Sequence, residues 1–427
     1  MNKTVSSILS KAKPLFTRGG ADIMEKVLVA TLCGLAIWIF AGWNDKGLYL
    51  MFSGLSLGLL IAWRFAALKQ MATPLPGPML AISMLYVLTL IIGALISDNG
   101  RAGFTVLKHY HHLFIGGLLL TVPLRDHYRK KIIVVFFASA ALAAMAGLAQ
   151  AMDLLRMDYP GRVYGFSGHP NIYAGVLALV CNSAIILFLL PHPLFRSKKD
   201  RFFLAIVAVL TLSGLVLSQT RGMWVALVAS CVLTLFLYDR KKAFLFFVSV
   251  CILAIVAFSA SGTLRQRAFS IVSSVYTEDS SGSTGNRIVL WKGALLIVRE
   301  HPLLGTGTGD FQSDINKLIQ QKKLADIPNT LHGHNMFLHV LATRGLIGFA
   351  SLIALYGALL YYGILSREQP AAGGALVVAT TILTMVGCLT DNYLEVGRYL
   401  AGYCLLVGLF GFSTTINTQT SAQRAPD

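Results

Sequence analysis

The chain has 427 residues, of which 55% are hydrophobic and 13% are charged, with a formal net charge of +17. Soluble domains contain about 25% charged residues. The composition, with a mean hydropathy of +0.67, therefore excludes a soluble globular protein. It predicts an all-α polytopic membrane protein with one extramembrane insertion. All six cysteines fall within apolar runs, which argues against a disulfide scaffold.

Apolar runs of about 17–25 residues predict about twelve transmembrane helices. Their approximate limits are 26–42, 47–64, 77–97, 109–124, 132–152, 171–190, 202–218, 223–238, 243–260, 340–365, 371–390 and 398–414. The stretch 202–238 could instead form one helix of about 37 residues and about 55 Å, nearly twice the thickness of a hydrocarbon core. Because polar residues interrupt it at 218–222, we predict two short spans joined by a tight turn.

The positive-inside rule, applied to short loops, gives the orientation. Lys and Arg cluster in alternate loops, at the N-terminal segment and at 64–69, 125–131, 196–201 and 240–242. Both termini are therefore predicted to be cytoplasmic. The predicted organisation is a cytoplasmic segment 1–25 without the apolar core of a signal peptide, nine spans in 26–260, a periplasmic lobe 261–339, three spans in 340–414 and a cytoplasmic tail 415–427.

The basic residues separate into two groups with different explanations. Anionic headgroups of membrane lipids account for those in the cytoplasmic loops. The basic residues of the outer lobe are not required by orientation, so they predict an anionic ligand. Nucleic acid is a poor candidate in that compartment.

A polar cluster at 161–171 precedes one predicted span. Its glycines and Pro170 indicate a turn, and Asn171 can cap the following helix. A capping turn needs neither Arg162 nor His169, so we favour a functional role for both over a purely structural corner.

Three further arginines lie at predicted outer positions. Arg221 occupies the tight turn at 218–222, where a guanidinium at depth costs roughly 2.5–3.5 kcal/mol. It suits bidentate phosphate recognition, and snorkelling to headgroups is the alternative. Arg265 lies within a turn of the preceding span, and Arg287 begins an amphipathic segment that ends near residue 298.

The lobe ends in a histidine-rich segment, where His334 falls at a predicted helix start. The helix dipole disfavours an imidazolium there, which leaves a neutral ring able to act as a general base. A plain capping role for His334 and Asn335 is one alternative. A zinc site built from His332, His334 and His339 is another, but it has no carboxylate or thiolate nearby in sequence.

Outward-facing acidic residues are few, and the chain contains no Asp-x-Asp pair. A metal-bound nucleotide sugar would usually need such oxygen ligands. A lipid diphosphate held by cationic side chains fits this composition better.

Four short motifs, in this order, resemble those of the O-antigen ligase/polymerase superfamily of bacterial membrane glycosyltransferases. They lie at 165–171 (GFSGHPN), 218–224 (SQTRGMW), 286–307 and 334–338 (HNMFL). The resemblance runs from about residue 159 to 398. It implies a GT-C-like inner-membrane enzyme with a periplasmic active site and a large loop between spans 9 and 10. Its ligases transfer polysaccharide from undecaprenyl diphosphate to a lipid A-core sugar, without metal, cofactor or obligatory protein partner.

The resemblance also implies residue roles. Arg221, Arg265 and Arg287 are the first candidates to hold the diphosphate, followed by Arg162 and His169. His334 becomes either the general base or a hydrogen-bond donor to the diphosphate, with Asn335 and Asn171 in support. Val225 departs from the Leu of the family's arginine motif, which affects packing more than chemistry.

Three other functions stay open at this point. O-antigen polymerases and protein O-oligosaccharyltransferases of the same superfamily share donor, motifs and topology. An exporter of polysaccharide or lipid would need polar residues at mid-depth in the spans. The predicted spans are nearly free of charge, which disfavours transport.

Overall fold

A computed structural model describes residues 18–41, 46–67, 75–122, 124–260, 283–328, 330–366 and 373–411. All regular secondary structure in these ranges is helical, which confirms the all-α fold. The helices are α1 (Arg18–Phe40), α2 (Lys46–Ala67), α3 (Gly77–Ile96), α4 (Gly100–Leu107), α5 (His111–Thr121), α6 (Asp126–Ala151), α7 (Pro170–Leu189), α8 (Lys198–Leu217), α9 (Arg221–Tyr238), α10 (Arg240–Ala260), α11 (Ser283–Glu300), α12 (Phe311–Gln320), α13 (Met336–Leu365), α14 (Gly374–Gly387) and α15 (Gly397–Phe410). Arg265 and the predicted segment 415–427 lie outside the described residues.

Eight of these helices are long and apolar enough to cross a membrane: α1, α2, α3, α6, α7, α8, α9 and α13. The tight turn predicted within 202–238 is confirmed, because α8 ends at Leu217 and α9 begins at Arg221. Two further predicted spans become the shorter apolar helices α14 and α15, each of 14 residues.

The predicted span 109–124 takes a different form. Its histidine-rich start folds into a 3-10 turn, Lys108–Tyr110, in which the His111 ring hydrogen-bonds to the Lys108 carbonyl. The helix that follows, α5, has 11 residues, or about 16 Å at 1.5 Å per residue. This segment therefore enters the bundle as a half-length helix, preceded by the short helix α4.

Helix α7 lies at the centre of the bundle, with 78% of its span buried. It packs against α8, α9, α14 and α15. Pro170 at its first turn suits a helix start, since the missing N–H has no intrahelical partner there. The residue that begins this central helix is therefore fixed with respect to four neighbours.

Helix α13 is interrupted at Gly345, whose φ of 62° is left-handed. A side chain there would collide with Leu303, and the backbone N–H of Leu346 donates to Pro302 O at 2.8 Å. The loop that follows α11 therefore docks into the break. Thr308 continues the docking by donating its N–H to Gly93 O on α3 at 2.7 Å.

Helices α11 and α12 share a second, smaller hydrophobic core with α13. Leu290 and Ile315 are fully buried in it, and Ala342 is contributed by α13 itself. Helices α11 and α12 are thus packed against α13. The residues that follow α12 lie near the start of α7.

Candidate active site

Asp391, in the connection between α14 and α15, is the centre of a polar cluster. Its Oδ1 lies 3.2 Å from His334 Nδ1 and 3.2 Å from His332 Nε2. Its Oδ2 accepts a hydrogen bond from Asn171 Nδ2 at 2.8 Å. The side chain of Asp391 is 11% exposed, against 27% for His332 and 21% for His334. The carboxylate is therefore shielded, while both imidazole rings remain accessible.

The start of α13 sets the position of the two histidines. Asn335 caps the helix, because its Oδ1 accepts from the N–H groups of Phe337 and Leu338. His334 precedes the cap with a φ of 46°, a strained value for a residue with a side chain. Trp291 of α11 donates its indole N–H to Gly333 O at 3.0 Å. Helix α11 thus helps to hold the strained turn at His334.

Arg162 connects the first two sequence motifs. Its Nε donates to Ser218 O at 2.9 Å, and its Nη2 donates to Asn171 Oδ1 at 2.9 Å and to Thr220 Oγ1 at 3.1 Å. One guanidinium therefore fixes the turn before α9 to the start of α7. Because Asn171 also donates to Asp391, the same contacts orient the carboxylate.

Arg221 and Arg287 lie close to this network. Burial lowers the pKa of Arg162, and the positive charges of Arg221 and Arg287 lower it further. Arg221 is exposed at the first turn of α9. A Cβ at Gly222 would collide with Thr390, so the beginning of α9 approaches the Asp391 connection closely. The positive charges of Arg221 and Arg287 are therefore close enough to act on Arg162.

His169 is the capping residue of α7, and its predicted contact with a diphosphate stays a prediction. Its Nδ1 accepts from Asn171 N at 3.2 Å, so it caps α7. Burial lowers the pKa of His169, and the nearby Arg162, His332 and His334 add to the effect against the charge of Asp391. His169 therefore lies at the edge of the cluster, with one ring nitrogen engaged in the cap.

The charge distribution favours an ionised Asp391. Burial would raise its pKa, but hydrogen bonds from His332 and His334 outweigh burial, and the pKa lies well below the ordinary value. Burial would also lower the pKa of His332, but the Asp391 hydrogen bond and charge raise it overall. The carboxylate is thus available to orient an imidazole and to stabilise its protonated form.

The zinc site considered from the sequence comprised three histidines, and the structure separates them. The side chain of His339 pairs with Glu395 instead of Asp391, and its Nε2 lies 3.2 Å from Glu395 Oε1. The ligand atoms of His332, His334 and Asp391 lie within 4.8 Å of one another, so these three could hold an ion. The same atoms already form a complete hydrogen-bonded arrangement, so the geometry does not require a metal.

Two of these contributors were not among the predicted site residues. Asp391 was one of several outward acidic residues, and His332 was considered only as a metal ligand. The available signal was position, because Asp391 interrupts two apolar segments at the same predicted face as His334. Which acidic residue meets the histidines depends on how α14 and α15 pack, and no local pattern encodes that.

Comparison with known proteins finds one matching family model and two similar proteins. A family model described as O-antigen ligase (Wzy_C) matches residues 206–353. An O-antigen ligase of Salmonella typhimurium is 24% identical over 290 residues, which cover 64% of this chain and 67% of that protein. An uncharacterized protein of Haemophilus influenzae is 25% identical over 264 residues, covering 59% of this chain and 64% of that protein. The match thus spans about two thirds of each relative. The predicted resemblance to the O-antigen ligase superfamily is confirmed.

Proposed function

We propose that this relative of the O-antigen ligases transfers polysaccharide from undecaprenyl diphosphate to a sugar of the lipid A core. The observation that carries the proposal is the meeting of His334 with Asp391 beside three arginines. An imidazole held by a carboxylate can act as a base. Guanidinium groups bind phosphate oxygens with matching geometry. The pairing suits glycan transfer with a diphosphate leaving group.

His334 is assigned as the general base. When its Nδ1–H donates to Asp391, the lone pair on Nε2 is left to accept a proton. The acceptor hydroxyl attacks the anomeric carbon of the donor glycan as its proton passes to Nε2. A new glycosidic bond forms while the bond between the anomeric carbon and the diphosphate oxygen breaks.

Arginines are assigned to the leaving diphosphate. Negative charge develops on it as the bond breaks, and preorganised cations stabilise that charge more than they stabilise the bound donor. Arg221 and Arg287 fit this role because, within the part of the chain that the structure describes, neither guanidinium donates hydrogen bonds like those of Arg162. Arg162 and His169 hold the surrounding turns, and Arg265 remains a predicted contributor outside the described residues.

The site is proposed to lie at the periplasmic face of the bacterial inner membrane. Helix α6 begins beside the basic segment 125–131 and runs for 26 residues, about 39 Å, toward the end that holds Asp391. The positive-inside rule assigns the basic end to the cytoplasm. The histidines and arginines then face the compartment in which a lipid-linked glycan meets lipid A core.

A reconstituted transfer assay tests the function. Purified protein in vesicles receives a lipid-linked glycan donor and a core-only lipopolysaccharide acceptor, and products are resolved by gel and mass spectrometry. Glycan on the lipid A core without energy input supports the ligase. Longer glycan on the carrier alone would indicate a polymerase. Translocation without a new glycosidic bond would indicate an exporter and overturn the proposal.

The same assay tests metal independence. Excess EDTA is expected to leave the initial rate unchanged, since cationic side chains supply the positive charge. Inhibition that a specific divalent ion reverses would contradict this expectation and would favour an ion held by His332, His334 and Asp391.

A further inference from the structure

A second group of charged residues lies directly beneath the candidate site, within the bundle. His339 and Arg344 of α13 are 5% and 3% exposed, and both belong to a helix long enough to span the membrane. Glu395 belongs to the connection between α14 and α15, and its side chain is 18% exposed. Ionisable groups at membrane depth are expensive, so each needs a partner and is a candidate for a functional role.

Glu395 is the shared partner of the group. Its Oε1 lies 3.2 Å from His339 Nε2, and its Oε2 accepts from Asn392 Nδ2 at 3.3 Å. Burial would raise the pKa of Glu395, but His339 and Arg344 outweigh burial and lower it to about 2. Arg344 stacks over the Tyr86 ring, with 5.2 Å between the guanidinium carbon and the ring centroid. Because Arg is always protonated, Arg344 places a permanent positive charge near Glu395.

Other titratable groups also surround this carboxylate. Those that interact with Glu395 electrostatically, besides His339 and Arg344, are His109, Tyr110 and His332. None of these forms a salt bridge with Glu395 among the described residues. Among the described residues, the Glu395 carboxylate therefore has two direct polar contacts, one to His339 of α13 and one to the side chain of Asn392.

Asn392 connects this group to the candidate site. It is 3% exposed, and its backbone N–H donates to Asp391 Oδ1 at 2.9 Å, the oxygen that both site histidines approach. His339 lies only five residues after His334 on the same chain segment. One carboxylate thus joins the first turns of α13 to the connection that carries Asp391.

We propose that Glu395 is a positioning residue for the candidate site. Through His339 and Asn392 it fixes Asp391 against His332 and His334. The inference rests on the proposed glycan transfer. It goes beyond it in assigning a role to a buried ion group that does not touch the substrate.

The test measures kcat and KM for lipid-linked donor in purified full-length protein. Glu395→Gln keeps the size of the side chain and removes its charge. Asn392→Ala removes the side-chain hydrogen bond to Glu395 and leaves the backbone N–H that donates to Asp391 and the His339–Glu395 pair in place, so it decides the question if Glu395→Gln fails to fold. Small displacements of reacting groups cost up to about a hundredfold in rate. We expect kcat to fall about tenfold to a hundredfold in both variants, with KM for the donor unchanged.

The most discriminating measurement is the activity of the double variant, Glu395→Gln with Asn392→Ala. If both residues act through Asp391, the double variant loses no more activity than either single variant. Asp310→Asn is the matched control, because Asp310 is a buried carboxylate outside the candidate site, just before α12, that accepts from Ser97, Asp98 and Asn99. It is expected to reduce thermal stability and leave kcat unchanged.

Each result bears on the proposal separately from the function. If wild-type protein transfers glycan while Asn392→Ala retains full kcat, or the double variant shows additive losses, the positioning role is wrong. A raised KM with unchanged kcat would also contradict it, since that pattern indicates lost binding. Absence of transfer by the wild-type protein would instead refute the proposed function.

Discussion

Glu25 and Asp391 are both buried carboxylates, and they lie near opposite ends of α6. Glu25 is 4% exposed and accepts from the backbone N–H and the Nε of Arg125. Asp22 contacts the same guanidinium, so the positive charge of Arg125 is matched by two carboxylates. This end of the molecule contains a satisfied ion pair network, which stabilises the fold and leaves Arg125 little freedom to bind a ligand.

The environment of Asp391 is different. Its hydrogen-bond partners are two histidines and the amide of Asn171, together with the N–H of Asn392. Within the described part of the chain, none of the three arginines around it forms a salt bridge with a carboxylate. Excess positive charge around proton-accepting rings is costly for stability, and it suits an anionic ligand. The contrast separates a structural carboxylate from one placed for chemistry.

The largest expected effect is at the base. His334→Ala should reduce transfer to background, because general base catalysis contributes about 10²–10⁴-fold and the ring also contacts Asp391. The matched control is His301→Ala, an exposed histidine beyond the end of α11. Membrane expression of both variants is measured beside glycan transfer to lipid A core. Normal transfer by His334→Ala would remove the base assignment.

Replacing the two carboxylates should separate their roles directly. Asp391→Asn is expected to lower kcat about 10²–10³-fold, since an amide no longer favours the imidazole tautomer with a free Nε2. Glu25→Gln should lower the apparent Tm and leave kcat near the wild-type value. Equal losses of kcat in the two variants would contradict the different roles assigned to Glu25 and Asp391.

A smaller effect is expected from Arg221→Lys. Lysine keeps the charge and loses the two-pronged geometry, and one lost charge-assisted hydrogen bond costs about tenfold. Transfer rate against donor concentration provides the measurement. Arg299→Lys, at an exposed position near the end of α11, serves as the control. If both lysine variants behave alike, bidentate contact at Arg221 is not required.

The smallest predicted effect concerns pH. The pKa of His332 is raised in the folded protein by Asp391, so the His332–Asp391 contact stabilises the fold below the ordinary histidine pKa of about 6.5. That contribution is lost as pH rises through the raised value. Thermal unfolding from pH 5 to 9 should therefore show a larger decline in Tm for wild-type protein than for His332→Gln. Parallel curves would contradict this linkage.

Much of the fold was predictable because transmembrane helices leave a strong local signal. The apolar runs of α3, α7 and α13 and the polar turn before α9 were predicted correctly from composition and length. The half-length helix α5 was not predicted. The histidines at its start contact Tyr49 of α2, and such contacts between helices leave no local signal in the sequence. Predicted orientation and the periplasmic location remain predictions.

Some residues of the candidate site could likewise be predicted from the sequence, and others could not. Arg162, Asn171 and His334 could be identified because each lies in a short polar motif beside an apolar run, and structure brings them together through Asp391. The positions of Asp391, Asn392 and Glu395 could not be derived. The roles of Asp391 and Glu395 depend on contacts with residues more than fifty positions away along the chain, namely His334 and His339.

The amino-acid sequence by itself determined that this is a helical membrane protein, with cationic and imidazole groups at the ends of apolar segments. Those properties follow from side-chain chemistry and run length, which act locally. Only the tertiary structure decided which carboxylate orients the histidines and which guanidinium groups surround them. Helix packing fixes these distances, and packing depends on the shapes of all the helices together.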